Sequence, residues 1–342
     1  MTVAVLHTDV GKNPETDDLD TLIQVESVSK TLKDLGYNAI KVTCKNDINT
    51  IITSLKKIGP EIVFNLMEPL HGEGQFIHIA PAVLDYLKLP YTGCSSEAIY
   101  ITSNKVLAKK LMKMADIPTP NWSTDGSLAF PEPGIVLKDM QLILKSTWEH
   151  ASMGIDAESV VRVSTPEELR MLLEQRNASS GGPYYAEEYI EGREFNLSIL
   201  AKPDGVEVLP PAEMKFIEFP ENHPKVLSYR AKWIEESMEY MKTRRCFEFN
   251  AEDQPLLERL KVLALRCWEV FGLNGYARVD CRVDMEGNPY VLEINANPCI
   301  SPESGFIAAA EMANLSYSDV IERILNAPII PHKPQVWGLR LI

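Results

Sequence analysis

Two apolar strands that carry charged side chains at alternate positions most restrict the folds open to this chain. They occupy the segment YARVDCRVDMEGNPYVLEINANP, residues 276–298. The residues Glu286, Gly287 and Asn288 between them are typical of a hairpin turn. Because side chains alternate between the faces of a strand, Arg278 and Asp280 are predicted to share one face, opposite an apolar face. The segment therefore predicts an antiparallel hairpin with one buried face.

The returning strand shows the same alternation. Val291, Glu293 and Asn295 are predicted to share a face, and Leu292 and Ile294 are predicted to lie opposite. Both strands together would gather one polar cluster over an apolar backing, formed by Arg278, Asp280, Glu293 and Asn295.

This cluster has the chemistry of a metal and phosphate site. Two carboxylates and an amide oxygen are hard ligands, suited to Mg²⁺ bridging nucleotide phosphates. The arginine beside them would stabilise charge on a transferring phosphoryl group. A solvated hairpin face with a surface ion pair is the alternative interpretation. The strand around Glu293 is otherwise apolar, and an unpaired carboxylate buried there would be costly, which favours the metal site.

Composition limits the class of protein. The 342 residues suggest two or three domains, and the net charge of -14 argues against a partner that is a nucleic acid. Six scattered cysteines without a C-x-x-C pair are typical of reduced thiols in a cytoplasmic protein. No apolar run approaches the roughly 20 residues that cross a bilayer, so no membrane association is expected.

The order of predicted elements divides the chain. Strands alternate with helices over residues 1–95, which predicts a parallel α/β domain, and its first helix is predicted over Leu19–Leu35. Short strands, one at Ile135–Leu137, predict a second domain over 96–183, and a third is predicted over 184–330, followed by a tail at 331–342. The charged stretch Lys225–Arg245 is interpreted as a mobile loop or an exposed helix.

Here the chain resembles a known family. R-x-D followed by L-E-x-N-x-x-P resembles the metal-binding signature of the ATP-grasp superfamily, in the version of the D-alanine–D-alanine ligases. Further matches occur in the same order along the chain: LPYTG at 89–93, Asn104-Lys105, IPTP at 117–120, Lys145, the run Glu187–Phe195, and Lys232. The resemblance implies an α/β ATP-grasp fold, in which an N-terminal parallel domain is followed by two α+β subdomains that clasp ATP.

The resemblance also implies roles for individual residues. Asp280, Glu293 and Asn295 would bind Mg²⁺, with Mn²⁺ as an alternative metal. The residues expected to bind ATP are Lys105, Lys145 and Ser152 at the phosphates, Glu187, Glu188, Tyr189 and Ile190 at the adenine, and Glu194 at the ribose. Those expected at the reacting groups are Arg278, the backbone N–H of Cys299, Lys232 in the long loop, and Ser304 at the carboxylate of the second substrate. Covalent catalysis by the Cys299 thiol is discounted.

By the same resemblance the chain is an ADP-forming carboxylate–amine ligase that acts through an acyl phosphate. Three positions near the first substrate depart from the family: an acidic run at 17–21 replaces its E-V-S motif, Ala151 replaces a serine, and Trp233 replaces a tyrosine. We therefore expect an amino-acid or peptide substrate other than D-alanine, with a preference for a cationic or amine-bearing partner.

Several alternatives stay open at this point. They are a genuine D-alanine–D-alanine ligase, a non-catalytic ATP-binding regulator, and an ATP-grasp kinase that phosphorylates a hydroxyl. A Rossmann dehydrogenase is disfavoured, since no G-x-G-x-x-G follows the first strand. The family suggests a homodimer formed through the first domain.

Overall fold

The structure, a computed structural model, describes residues 1–11, 16–45, 47–129, 137–149, 152, 154–180 and 182–331. Within these ranges a parallel sheet comes first, and two antiparallel sheets follow it. The predicted tail lies outside the described residues apart from Pro331. So does most of the strand predicted at Ile135–Leu137, and its last residue instead begins a 3-10 turn.

The N-terminal part alternates strands and helices, as the sequence predicts. Its elements are β1 (Thr2–Thr8), α1 (Thr16–Asp34), β2 (Asn38–Cys44), α2 (Ile48–Ile58), β3 (Ile62–Leu66) and α3 (Ile79–Leu87). The three strands form a parallel sheet in the order β2-β1-β3. Alternate residues of β1 are buried on opposite faces: Val3 packs in one core with Val28 of α1, and Ala4 packs in another with Ile51 of α2. Helices on both faces therefore cover the sheet.

The middle of the chain forms the second sheet. Its elements are α4 (Ser96–Ser103), α5 (Lys105–Met114), β4 (Trp122–Ser123), β5 (Leu128–Ala129), β6 (Gln141–Ser146), β7 (Val160–Arg162), α6 (Pro166–Ser180) and β8 (Tyr184–Glu188). The strands are antiparallel in the order β5-β4-β8-β6-β7. Because β6 and β8 are central neighbours, their side chains Lys145 and Glu187 can meet at one edge of a cleft.

The third sheet carries the hairpin. The remaining elements are β9 (Arg193–Lys202), β10 (Gly205–Val208), β11 (Ala212–Phe216), α7 (Tyr229–Trp233), α8 (Met238–Lys242), β12 (Thr243–Cys246), α9 (Gln254–Val270), β13 (Tyr276–Val283), β14 (Pro289–Asn295), α10 (Gly305–Met312) and α11 (Tyr317–Leu325). The sheet order is β12-β11-β9-β13-β14, with β10 beside β9. The stretch Lys225–Arg245 thus contains α7, α8 and the start of β12.

The predicted faces of the hairpin need one correction. Arg278 lies opposite Asn295, and Asp280 opposite Glu293, as alternation predicts. A β-bulge then leaves Leu292 without a partner in the ladder, so Val291 pairs with Cys281. An extra residue in one strand reverses the faces beyond it. Val291 is therefore buried in the core, and it is Leu292 that faces the cleft beside Glu293.

Two glycines allow close approach between segments. A Cβ at Gly74 would lie 2.2 Å from the backbone oxygen of Trp148, so a loop of the first domain touches the segment that follows β6. Gly192, between β8 and β9, has φ +144°, and a Cβ there would lie 2.0 Å from the backbone oxygen of Val283. Both contacts require the absence of a side chain.

We expect Gly192→Ala to lower the free energy of unfolding by about 3 kcal/mol, because strain at positive φ adds to a backbone clash. Gly205→Ala is the matched control: its φ is +132°, but nothing lies within 4 Å of the added methyl group. This variant should lower the free energy of unfolding by only about 1 kcal/mol, the effect of the positive φ alone. Denaturant unfolding of both variants measures the difference, and equal losses would show that the clash with Val283 is absent.

Candidate active site

A cleft lies between the two antiparallel sheets. Most of the residues singled out from the sequence line it: Lys105, Lys145, Ser152, Glu187, Glu188, Tyr189, Ile190, Glu194, Lys232, Asp280 and Glu293. The other four, Arg278, Asn295, Cys299 and Ser304, lie outside the described lining of this cleft. They continue the hairpin and the turns beyond it, next to α1 and α10.

Lys105 contacts two different segments of the cleft. Lys105 is the first residue of α5, and the Asn104 side chain caps that helix by accepting a hydrogen bond from the backbone N–H of Leu107 at 2.9 Å. The ammonium of Lys105 donates to the backbone oxygen of Glu149 at 2.5 Å and lies 4.0 Å from the carboxylate of Glu293. Burial lowers the pKa of Lys105. This lysine therefore joins the segment after β6 to the hairpin.

Lys145 belongs to a buried cluster of charges. Its ammonium lies 2.5 Å from one oxygen of Glu187, and the ammonium of Lys109 lies 2.5 Å from the other. Burial alone would raise the pKa of Glu187, but the two ammonium groups hold it below its usual range. The carboxylate is therefore ionised, and each of its oxygens is held by a lysine.

The two acidic residues of the hairpin sit side by side. Both oxygens of Asp280 accept hydrogen bonds from Arg278 at 2.8 Å, and one also accepts from the side-chain amide of Asn196 at 2.8 Å. Burial would raise the pKa of Glu293, yet four surrounding cations lower it to about 2: Lys105, Lys232, Lys145 and Arg278. Glu293 is thus an ionised carboxylate with cationic side chains near it.

The donor set suits a hard divalent cation. Asp280 and Glu293 are register partners, and the side-chain oxygen of Asn295 accepts one bond, from the backbone N–H of Asn297 at 2.9 Å, which leaves a second lone pair. The described residues hold no cluster of three His, Cys, Asp or Glu side chains suited to a metal. A metal here would need the amide oxygen and the phosphates of a nucleotide to complete its shell.

The cleft also has apolar side chains in its walls, and one arginine that the sequence interpretation missed. Its walls include Ile143, Ile155, Val226, Leu227 and Leu292. The guanidinium of buried Arg282 lies 3.0 Å from the carboxylate of Glu194 and 5.4 Å from the ring centre of Tyr189. Alternation along β13 could have revealed it, because Arg282 follows Arg278 and Asp280 at the same spacing of two.

Segments on either side of the cleft also meet. The hydroxyl of Ser152 donates to the backbone oxygen of Leu227 at 2.7 Å, just before α7. Ser228 caps α7, whose fourth residue is Lys232. Burial, and then repulsion from Arg278, lower the pKa of Lys232. The site position Ala151 lies outside the described residues, as do the side chains of Asp17 and Asp18.

Beyond the hairpin, the first domain contributes to the site. The thiol of Cys299 donates to the carboxylate of Asp20 on α1 at 2.8 Å, and the backbone N–H of Ile300 donates to the side chain of Gln24 at 2.5 Å. Ser304 caps α10, where its hydroxyl accepts from the backbone N–H of Ile307 at 3.3 Å. The α1 helix therefore positions the turn that carries Cys299.

Burial raises the pKa of Cys299 to about 12, and the nearby carboxylate of Asp20 adds to this. A protonated thiol is a poor nucleophile. We expect Cys299→Ala to keep turnover within about threefold, since only weak hydrogen bonds of the thiol are lost, with Asp20 and with the hydroxyl and backbone N–H of Ser301. Iodoacetamide labelling at pH 8, read by mass spectrometry, should leave Cys299 unmodified while it marks the more weakly held Cys246. Rapid labelling of Cys299 with loss of activity would contradict this.

The chain is similar to known proteins. The sequence model of the family described as "D-ala D-ala ligase C-terminus" matches residues 135–326, which contain the whole hairpin and most of the cleft. This chain belongs to the D-alanine–D-alanine ligase family. Members of that family are ATP-dependent, ADP-forming ligases that make C–N bonds, and they use a divalent metal.

Full-length relatives agree with this assignment. An uncharacterized protein of Sinorhizobium fredii, y4sG, is 31% identical over 88% of this chain and 86% of its own length. A D-alanine–D-alanine ligase of a Synechococcus strain is 28% identical over 92% of this chain and 90% of its own. Family membership thus extends well beyond the C-terminal part.

A solved structure supports the fold. The D-alanine–D-alanine ligase of Bacillus anthracis, crystallised with ATP, superposes with a TM-score of 0.70 at 22% identity, over 95% of this chain and 96% of that one. The predicted ATP-grasp fold is confirmed, with its parallel sheet and two antiparallel sheets. No helix in the described part of this ligase-family chain has both the length and the apolar character that crossing a bilayer requires.

Proposed function

We propose that this protein is an ATP- and Mg²⁺-dependent ligase that joins a carboxylate to an amine through an acyl phosphate, and that its substrate is an amino acid or peptide other than D-alanine. The observation that carries the proposal is the cleft itself, whose lining brings Lys105, Lys145 and Lys232 together with the carboxylates of Asp280 and Glu293. Such a set of lysines beside two neighbouring carboxylates suits polyanionic phosphate held by a divalent metal.

Individual residues of the chain would have separate roles in binding the nucleotide and the metal. Lys105 and Lys145 would hold phosphate oxygens, and Asp280, Glu293 and Asn295 would hold Mg²⁺. When bound, Mg²⁺ would neutralise phosphate charge. The apolar side chains of the cleft would take the adenine against Glu188, Tyr189 and Ile190, and Glu194, oriented by Arg282, would bind the ribose.

The reacting groups would lie where the hairpin ends. Arg278 uses Nε and Nη2 to bind Asp280, which leaves Nη1 for the oxygen of a tetrahedral adduct, assisted by the backbone N–H of Cys299. The hydroxyl of Ser304 accepts one hydrogen bond, so its proton remains to bind the carboxylate of the second substrate. Lys232, held half-buried at the cleft, would add charge at the transferring phosphoryl group.

Altered residues near the first substrate support a different specificity. Asp20, in the acidic run that replaces the family's glutamate motif, is bonded to the thiol of Cys299. Trp233 replaces a tyrosine beside Lys232, and its indole N–H is buried with no partner among the described residues. A buried donor of this kind favours an acceptor from a ligand. An acidic site near α1 favours an amine-bearing substrate.

We further propose the boundaries 1–95, 96–183 and 184–330 for the three domains, a cytoplasmic location, and no nucleic-acid or membrane partner. Homodimer formation through the first domain would follow the family. Sedimentation of the purified protein measures whether it is a dimer.

ADP and phosphate release from ATP–Mg²⁺ tests the activity, with pooled L-amino acids, D-amino acids and small peptides, and with mass spectrometry of the products. A product of mass A plus B minus water identifies a ligase and its substrates. A stable phosphorylated product would instead indicate a kinase. Tight ATP binding without turnover in any pool would favour the regulator.

A genuine D-alanine–D-alanine ligase is the second candidate, because the relative from Synechococcus carries that name at 28% identity. D-Alanine assayed alone distinguishes the two. Dimerisation at ordinary ligase efficiency would overturn the proposal of a different substrate while leaving the ligase chemistry in place.

A further inference from the structure

Lys109 is a buried lysine that the proposed mechanism does not use. It lies on α5, one turn after Lys105, and its side chain is shielded from solvent. Its ammonium lies 2.5 Å from the carboxylate of Glu187, donates to the hydroxyl of Thr119 at 2.8 Å, and lies 5.9 Å from the ring centre of Trp122. Unlike Lys105 and Lys145, it is not part of the described lining of the cleft.

Glu187 divides its two oxygens between two lysines. Oε1 binds Lys145, which lines the cleft, and Oε2 binds Lys109, which lies behind it. The hydroxyl of Tyr185 also approaches Oε2, at 3.5 Å. Burying a carboxylate at this depth requires compensation by positive charge.

The net charge of this cluster decides what Lys145 can do. Two ammonium groups and one carboxylate leave one positive charge, and only Lys145 presents it to the cleft. Without Lys109, Glu187 and Lys145 would form a neutral pair, and a phosphate would have to compete with Glu187 for its lysine. Lys109 therefore neutralises the carboxylate from behind.

The same lysine is connected to the metal hairpin. The hydroxyl of Thr119, which accepts from Lys109, donates to the backbone oxygen of Val291 at 2.8 Å. The backbone N–H of Val291 donates in turn to the backbone oxygen of Pro118 at 2.8 Å. Val291 directly precedes the bulge at Leu292 and the carboxylate of Glu293. The ammonium of Lys109 is thus linked to Lys145 through Glu187, and to the strand that carries Glu293 through Thr119.

We propose that Lys109 is a positioning residue, the internal counter-ion of Glu187 that keeps Lys145 available to nucleotide phosphates. This inference rests on the proposed function, because it requires that the cleft binds ATP. It assigns Glu187 an electrostatic task through Lys145 in place of a direct contact with adenine.

The experiment compares three variants of the full chain by calorimetric titration with ATP–Mg²⁺, ADP and adenosine. Lys109→Met keeps the length of the side chain and removes its charge. Lys109→Met/Glu187→Gln removes both charges and restores one net positive charge on Lys145. Lys110→Met is the matched control, because it removes the same charge from the exposed side of the same helix.

We expect Lys109→Met to weaken ATP and ADP binding at least about tenfold, since Lys145 and Glu187 then form a neutral pair that offers the phosphates no net positive charge. Adenosine has no phosphate, so its affinity should stay within about twofold, and a purely structural role would not separate the ligands in this way. The double variant should recover ATP affinity to within about threefold of wild type, and the control should match wild type.

Other results would overturn the proposal. They are unchanged ATP affinity in folded Lys109→Met, equal losses for ATP and adenosine, and a folded double variant that recovers nothing. If Lys109→Met alone does not fold, the double variant decides, because it has no uncompensated buried carboxylate. Failure of the wild-type protein to bind ATP at all would refute the proposed function itself, and this outcome is distinguishable from those on Lys109.

Discussion

Glu293→Gln is expected to lower ADP and phosphate release by about a thousandfold, as is typical when one group that organises transition-state charge is lost. Two effects combine in this variant. A neutral amide is a weaker metal ligand, and the four cations around position 293 lose the carboxylate that separates them. The loss should appear in kcat, with added Mg²⁺ or Mn²⁺ restoring part of it through mass action.

Glu286→Gln is the matched control for this measurement, because it lies exposed in the turn of the same hairpin. It should have wild-type activity and stability. Thermal unfolding of both variants separates a folding defect from a chemical one. Turnover of Glu293→Gln above a tenth of wild type would show that Glu293 does not hold the metal.

Arg278→Met is expected to lower kcat by about a thousandfold while the KM for ATP changes less than about threefold. The reason is that the guanidinium would meet the substrate only as charge develops on the tetrahedral adduct. Removing Arg278 also takes two hydrogen bonds from Asp280, which retains Asn196 as a partner. Steady-state kinetics at saturating and limiting ATP measures both parameters.

The control for Arg278 is Arg259→Met, because Arg259 is exposed and donates to the backbone oxygen of Gly287 in the hairpin turn at 2.8 Å. Its loss should affect stability slightly and kcat not at all. A rise in the KM for ATP with unchanged kcat in Arg278→Met would place Arg278 at the nucleotide and away from the adduct.

Local patterns in the sequence were sufficient for much of the hairpin. Alternation placed Arg278 and Asp280 on one face of their strand. The turn at 286–288 indicated that the strand with Glu293 returns beside them, as it does in the structure. Alternation gave the wrong face for Leu292, because a β-bulge adds one residue to the strand there. Nothing in the neighbouring sequence marks this bulge. Arg282 could have been found by the same spacing rule, and the sequence interpretation overlooked it.

The role of Lys109 was beyond prediction from local pattern. Its partner Glu187 follows 78 positions later on β8, and only the packing of α5 near the second sheet brings the two side chains together. Lys109 follows Lys105 at helical spacing, yet a second lysine on a helix is usually solvated. Whether such a residue is buried depends on packing between elements, which one sequence does not show.

The contact between Gly74 and Trp148 connects nucleotide binding to the first domain. Trp148 is adjacent to Glu149, whose backbone oxygen holds the ammonium of Lys105. A ligand that orders the segment of Trp148 and Glu149 would therefore also favour the contact between Trp148 and Gly74. Such coupling is reciprocal by thermodynamic necessity. A substrate that tightens the first domain through this contact would raise the affinity for ATP by the same factor by which ATP raises the affinity for that substrate.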